Sequence, residues 1–186
     1  MMETARPLTK TEYRLDHGYV HVYTGNGKGK TSAAVGLALR ALGSGLRVAI
    51  VQFMKATVSG ECRILKRLDD RIKITHFGSG CFIDGSPESQ AIFQTRKDYQ
   101  AIQQIIDRRR FDLIILDEAN TAVCCGLLTV DALLDLIRSK PPELELVITG
   151  RYAHPRIILA ADLVTEMVEV KHYHRQGVPA RLGIDV

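Results

Sequence analysis

The sequence contains no apolar run of about eighteen residues, the length that a membrane-spanning helix needs. Its opening stretch, MMETARPLTKTEYRLD, lacks the apolar centre of a signal peptide and reads as a flexible polar arm, residues 1–16. These absences point to a cytoplasmic chain without membrane insertion. Cysteine is scarce. Cys62, Cys81, Cys124 and Cys125 include no C-x-x-C pair, which removes the usual zinc frameworks. Without an export signal they read as reduced, buried thiols, with Cys124 and Cys125 packing in the core. Aromatic residues make up only 6% of the chain, and no basic stripe is interleaved with them. The net charge of +4 favours anionic partners mildly, without the footprint of a nucleic-acid binder. The one dense basic run, Arg108-Arg109-Arg110, reads as a solvated helix end, where cations meet the carbonyl pole. Internal repeats, low-complexity segments and linkers are also missing. The 186 residues make one domain, 17–186, behind the arm.

What is present is alternation. YVHVYT (19–24) alternates like a strand, and SAAVGLALRAL (32–42) follows as a helix apolar nearly all round, hence buried. RVAIVQF (47–53) is a near-continuous apolar strand, the mark of a parallel sheet covered on both faces. RIKITHF (71–77) is more polar and belongs nearer an edge. A long helix runs from about residue 87 to 107, with Ile92, Tyr99, Ile102 and Ile106 on one face. FDLIILDE (111–118) reads as the most buried strand. Thr129 caps a helix carrying Val130, Leu133, Leu134 and Ile137. ELVITG (145–150) is a strand, His154-Pro155 opens a short helix, and LVTEMVEV (163–170) is the last strand. The tail from Lys171 reads as irregular. This order gives an α/β fold, a mostly parallel, doubly wound sheet with helices on both faces. Ligands of such sheets sit beyond the carboxyl ends of the strands.

TGNGKGKT (24–31) lies at the first of those ends. The usual phosphate-binding spacing puts a glycine at residue 24, and here residue 24 is threonine. Gly25, Gly27 and Gly29 still permit turns that aim backbone N–H groups at phosphate oxygens. The helix that follows adds its positive pole, Lys30 a full charge, and Thr31 a hydroxyl for Mg²⁺. Asp117-Glu118, just past a buried strand, are placed to hold Mg²⁺ or its waters. Arg151, after Thr149-Gly150, can reach a phosphate bidentately. His172 and His174 would share a face if extended, but no third ligand stands nearby. These residues give a nucleoside triphosphate and Mg²⁺. They do not say which bond breaks. A kinase needs a base for its acceptor hydroxyl and an ATPase a water-positioning residue, and neither is marked. A P-loop small-molecule kinase and a binding module without turnover both stay open.

VYTGNGKGKTSAA, VQFMK, LDEAN and TGRYAH, in this order, resemble the ATP:corrinoid adenosyltransferases of the cobalamin pathway. The resemblance runs from about His17 to Asp185 and includes ADLVTEM, VKH and the closing glycine-rich stretch. The threonine in place of the first glycine is that family's form of the loop. The resemblance implies a single-domain P-loop, RecA-like fold. It implies transfer of the 5′-deoxyadenosyl group of ATP to the Co(I) of a reduced corrinoid, with triphosphate released and ATP reversed across the loop. It carries Thr24, Gly25, Asn26, Gly27, Lys28, Gly29, Lys30, Thr31, Ser32, Arg40 and Arg151 over as nucleotide-binding residues. Lys30, Thr31, Glu118 and Arg151 become the catalytic set, and Thr31, Asp117 and Glu118 the Mg²⁺ set. Gln52 and Lys55 fall in a matching strand-end loop. Cys81, Phe82 and Ile83 match the corrinoid-facing segment, where relatives carry Phe and Trp in place of Cys81 and Ile83. The family also implies a homodimer in which the arm covers the partner's site, and a flavoprotein or similar electron donor.

Overall fold

The protein's structure, a computed structural model, describes residues 14–54, 59–77 and 89–185, with side chains described outside 89–96. Most of the arm, Lys55 and the segment with Cys81, Phe82 and Ile83 lie outside the described residues.

The strands are β1 (Val20–Thr24), β2 (Val48–Phe53), β3 (Ile72–Phe77), β4 (Leu113–Asp117), β5 (Glu145–Thr149) and β6 (Leu163–Glu166). They form one sheet in the order β3-β2-β4-β5-β1-β6, with every pair parallel. β2 and β4 are apolar at nearly every position because both faces are covered. Along β2, Val48 and Ile50 enter one core while Ala49, Val51 and Phe53 enter the other. β3 stands at an edge, as its polar side chains predict.

The helices are α1 (Lys30–Gly43), α2 (Gly60–Leu68), α3 (Ser89–Asp107), α4 (Ala119–Cys124), α5 (Val130–Ser139) and α6 (Pro155–Ala160). α1 and α2 supply one core, with Ala34, Ala38, Ala41, Leu42 and Leu65; α3, α5 and α6 supply the other, with Ile102, Ile106, Leu133, Leu136 and Ile157. Two helices start as their sequences require. Thr129 Oγ1 accepts the Ala132 N–H at 3.1 Å, and His154 Nδ1 accepts that of Arg156 at 3.2 Å ahead of Pro155.

Three expectations need correction. α1 is buried on one side only, and Leu39 is 53% exposed. Its buried face is mostly alanine, Ala34, Ala38 and Ala41 beside Leu42, which lets the helix approach the sheet closely. α2 occupies a stretch to which the sequence assigned no element, and it seats Cys62 and Leu65. The last strand ends at Glu166 rather than residue 170, because the chain turns onto the glycine loop. Cys124 and Cys125 are exposed, since the last turn of α4 faces outward, so they do not pack in the core.

Candidate active site

The sheet order places the ends of β4, β5 and β1 side by side. Three stretches far apart in sequence therefore meet: Asp117-Glu118, Thr149-Gly150-Arg151 and the loop from Thr24.

Thr24 is the last residue of β1, paired with Glu166 of β6. Its hydroxyl accepts the Ala153 N–H at 3.2 Å. The strand thus runs one residue further than the usual spacing allows, and the first turn falls to Gly25. Gly25 and Gly29 both take left-handed conformations, φ 90° and 117°, that a side chain would resist. Gly29 is the N-cap of α1 and brings no capping side chain, so the first-turn amides face the loop without one. Lys30 is 6% exposed, and its Nζ donates to the carbonyls of Gly25 and Gly27, each at 2.7 Å. Burial pulls its pKa down, the charge of Arg151 adds to this, and Glu118 opposes it. Lys30, Arg151 and Glu118 thus share one electrostatic environment.

Asp117 is 1% exposed and acts as a hub. Its Oδ1 accepts from Thr31 Oγ1 at 2.7 Å and Thr149 Oγ1 at 2.8 Å, and its Oδ2 from Gln52 Nε2 at 3.1 Å. Gln52 is directly opposite Asp117 in the β2–β4 register, and Cys62 Sγ donates to Gln52 Oε1 at 3.4 Å. Thr149 Oγ1 also accepts the Glu118 N–H at 3.0 Å. That contact holds Glu118 in a left-handed conformation, φ 63°, uncommon for a residue with a side chain. The Glu118 carboxylate accepts from Thr121 Oγ1 at 2.5 Å, and the same hydroxyl accepts the Arg151 N–H at 3.1 Å. Gly150 makes the closeness possible. A Cβ there would lie 2.7 Å from the Thr121 nitrogen.

Among the described residues no three His, Cys, Asp or Glu side chains gather as a metal cage. The donors present, a threonine hydroxyl and two carboxylates, are hard oxygens that suit Mg²⁺ ligated mainly by a phosphate chain.

Other expected residues lie elsewhere. Arg40 is in the last turn of α1, about 15 Å along the axis from Lys30 at 1.5 Å per residue. Its charge acts on the Tyr23 hydroxyl. Asn26 and Ser32 are exposed beside the loop. The Lys28 ammonium donates to the C-terminal residues Tyr173, Ile184 and Asp185. The Gly27 amide is committed to Met167 O at 2.6 Å, so it is not aimed into the loop's hollow. His172 uses its Nδ1 to accept the His174 N–H at 3.1 Å. Sequence reasoning missed the roles of Thr149 and Thr121, because a threonine near a strand end carries no distinguishing signal. It also missed Asn120, which is fully buried with neither amide atom hydrogen-bonded among the described residues.

A parallel sheet in this order, with a glycine loop joining its first strand to a helix that opens Lys-Thr, defines a P-loop nucleotide-binding protein of the RecA-like class. The fold alone is shared with a KaiC-like protein, PH0186 of Pyrococcus horikoshii OT3, at TM-score 0.54 and 11% identity over 83% of this chain and 74% of that one. The family is fixed by sequence. The profile described as ATP:corrinoid adenosyltransferase BtuR/CobO/CobP matches residues 16–186. A corrinoid adenosyltransferase of Pseudomonas aeruginosa is 36% identical over 173 residues, 92% of this chain and 85% of that protein. One from Escherichia coli K12 is 33% identical over 171 residues, 91% and 86% of the two chains. The chain belongs to the ATP:corrinoid adenosyltransferase family.

Proposed function

We propose that the protein transfers the 5′-deoxyadenosyl group of ATP to the Co(I) of a reduced corrinoid, in adenosylcobalamin biosynthesis or salvage. The observation that carries this reading is the meeting of the Lys30-Thr31 helix start with Asp117 and Glu118 at the strand ends, in a chain of this family. The electron pair of Co(I) forms the bond to C5′ as the C5′–O bond breaks, and the pair of the broken C5′–O bond leaves with the triphosphate. The step removes no proton, so it needs no general base. What it needs is charge to hold the leaving group.

Lys30, Arg151 and the first-turn amides of α1 meet that need. Without an anion the two cations oppose each other's charge, and an arriving triphosphate relieves this. Thr31, Asp117 and Glu118 would hold Mg²⁺, directly or through its waters. Bound there, Mg²⁺ supplies further positive charge to the triphosphate. Cys81, Phe82 and Ile83 are assigned to the lower face of the corrinoid. The enzyme is read as a cytoplasmic homodimer, its arm covering the partner's site, served by a flavoprotein or similar electron donor. Among the described residues no helix is long and apolar enough to cross a membrane.

The test is incubation with ATP, Mg²⁺ and chemically reduced corrinoid. A light-sensitive Co–C product and triphosphate should form in equal amounts. Release of ADP or phosphate instead would overturn this reading, a small-molecule kinase requiring ADP together with a phosphorylated acceptor, and ATP that binds but stays intact would favour a binding module.

A further inference from the structure

The chain beyond β6 takes no part in the chemistry above, yet it is built onto the glycine loop. The Met167 N–H donates to Thr24 O at 2.9 Å, and Met167 O accepts the Gly27 N–H at 2.6 Å. The approach is so close that a Cβ on Gly25 or Gly27 would lie 2.5 or 2.7 Å from Met167 O. Two of the loop's glycines are therefore demanded by this segment, whatever else the loop binds. Further on, a 3-10 turn at Tyr173–Gln176 and residues 181–185 return to the tip of the loop. There Lys28 Nζ donates to Ile184 O at 2.6 Å, to Tyr173 Oη at 3.2 Å and to the Asp185 carboxylate. Tyr173 Oη donates to the same carboxylate oxygen. Arg181 donates its N–H and its Nε to the other oxygen, each at 3.0 Å, with its guanidinium 4.7 Å from the centre of the Tyr173 ring. Between the two attachments a groove of about 260 Å³ remains, lined by Gly27, Lys28 and residues 168–173.

We propose that residues 167–185 form a strap that sets the shape of the phosphate loop before triphosphate arrives, with Tyr173 and Asp185 as positioning residues acting through Lys28. A loop with three glycines among residues 25–29 has more backbone freedom to lose on binding than most loops. The strap removes that freedom in advance, which preserves affinity. It does so through Thr24 and Gly27, which pair with Met167, and through Lys28 at the tip. The inference rests on reading the loop as a triphosphate site.

The experiment is calorimetric titration of the full chain with inorganic triphosphate in Mg²⁺, alongside steady-state adenosyl transfer. Asp185→Ala should weaken triphosphate binding about tenfold and raise the KM for ATP by about the same factor, with kcat within about twofold. Asp185→Glu should restore most of the affinity, and Tyr173→Phe, which removes a single hydroxyl and spares the fold, should lie between. The KM for corrinoid should not move. Triphosphate binding equal in wild type, Asp185→Ala and Tyr173→Phe would overturn the strap, as would a loss of kcat at unchanged KM. A wild-type protein that binds no triphosphate would overturn the site reading beneath it.

Discussion

Replacing Thr149 with valine removes one oxygen and leaves the shape nearly unchanged. That oxygen makes two contacts at the centre of the site. It donates to Asp117 at 2.8 Å and accepts from the Glu118 amide at 3.0 Å. A hydrogen bond to a charged group contributes about 1.5–3 kcal/mol net, and an orphaned buried donor costs about 1–3 kcal/mol. Glu118 is only partly buried, so water can reach some of that amide, and the combined loss should be about 2–4 kcal/mol. Urea denaturation of wild type, Thr149→Val and Thr149→Ser measures it. The serine variant keeps the hydroxyl and should lose well under half as much. Activity should fall too, because the left-handed backbone of Glu118 is held by the lost contact. About tenfold or more in kcat follows if the Glu118 carboxylate shifts by an ångström. A Thr149→Val protein within about 0.5 kcal/mol of wild type, the scatter of ordinary surface substitutions, would refute the hub.

Lys30→Ala and Glu118→Ala should each lower adenosyl transfer about a hundredfold or more if charge on the leaving triphosphate limits the rate; a protein indifferent to both disproves the site map. Asp112 takes a bidentate pair from Arg47 and a third bond from its amide. Burial raises its pKa, but the Arg47 bonds outweigh that and the net shift is downward. Stability from this pair is therefore present above the unfolded carboxylate pKa of about 4 and is lost as pH falls through the lower folded value. Asp112→Asn should flatten the acid limb of a stability–pH curve while lowering stability at neutral pH, and an unchanged acid limb would contradict it. Asn120→Leu should raise stability by about 1 kcal/mol in urea melts, because it removes a buried amide without partners among the described residues. A loss of that size would show that the amide is satisfied in solution.

β2 and β4 were legible because continuous β-branched and leucine runs suit only a strand covered on both faces. The glycine loop was legible because its backbone demands are written into three nearby glycines. α1 was placed but given the wrong exposure, since its apolar residues run nearly all round while Ala34, Ala38, Ala41 and Leu42 alone of them are buried and Leu39 is exposed. α2 was missed because Cys62 and Leu65 are its only buried residues, too few for a period to emerge. Asp117 was read as a ligand from its position after a buried strand. Its hub character needs Gln52 and Thr149 on the flanking strands, and that register is a property of the sheet, not of any local run. The strap is further out of reach. Lys28 meets Tyr173 and Asp185 across 145 and 157 residues, and no short-range pattern encodes such a meeting.

The position of β1 has a consequence for biosynthesis. It pairs only with β5 and β6, whose residues span 145–166. During synthesis the glycine loop therefore emerges early, on a strand whose neighbours have not yet been made. A nascent chain can join β2, β3 and β4 as a three-stranded sheet and still have nowhere to dock its first strand. Folding must wait for the last quarter of the chain, and the waiting strand, VHVYT, is exposed to wrong partners meanwhile. Chains ending before residue 145 should resist protease within β2, β3 and β4 but remain open at the glycine loop.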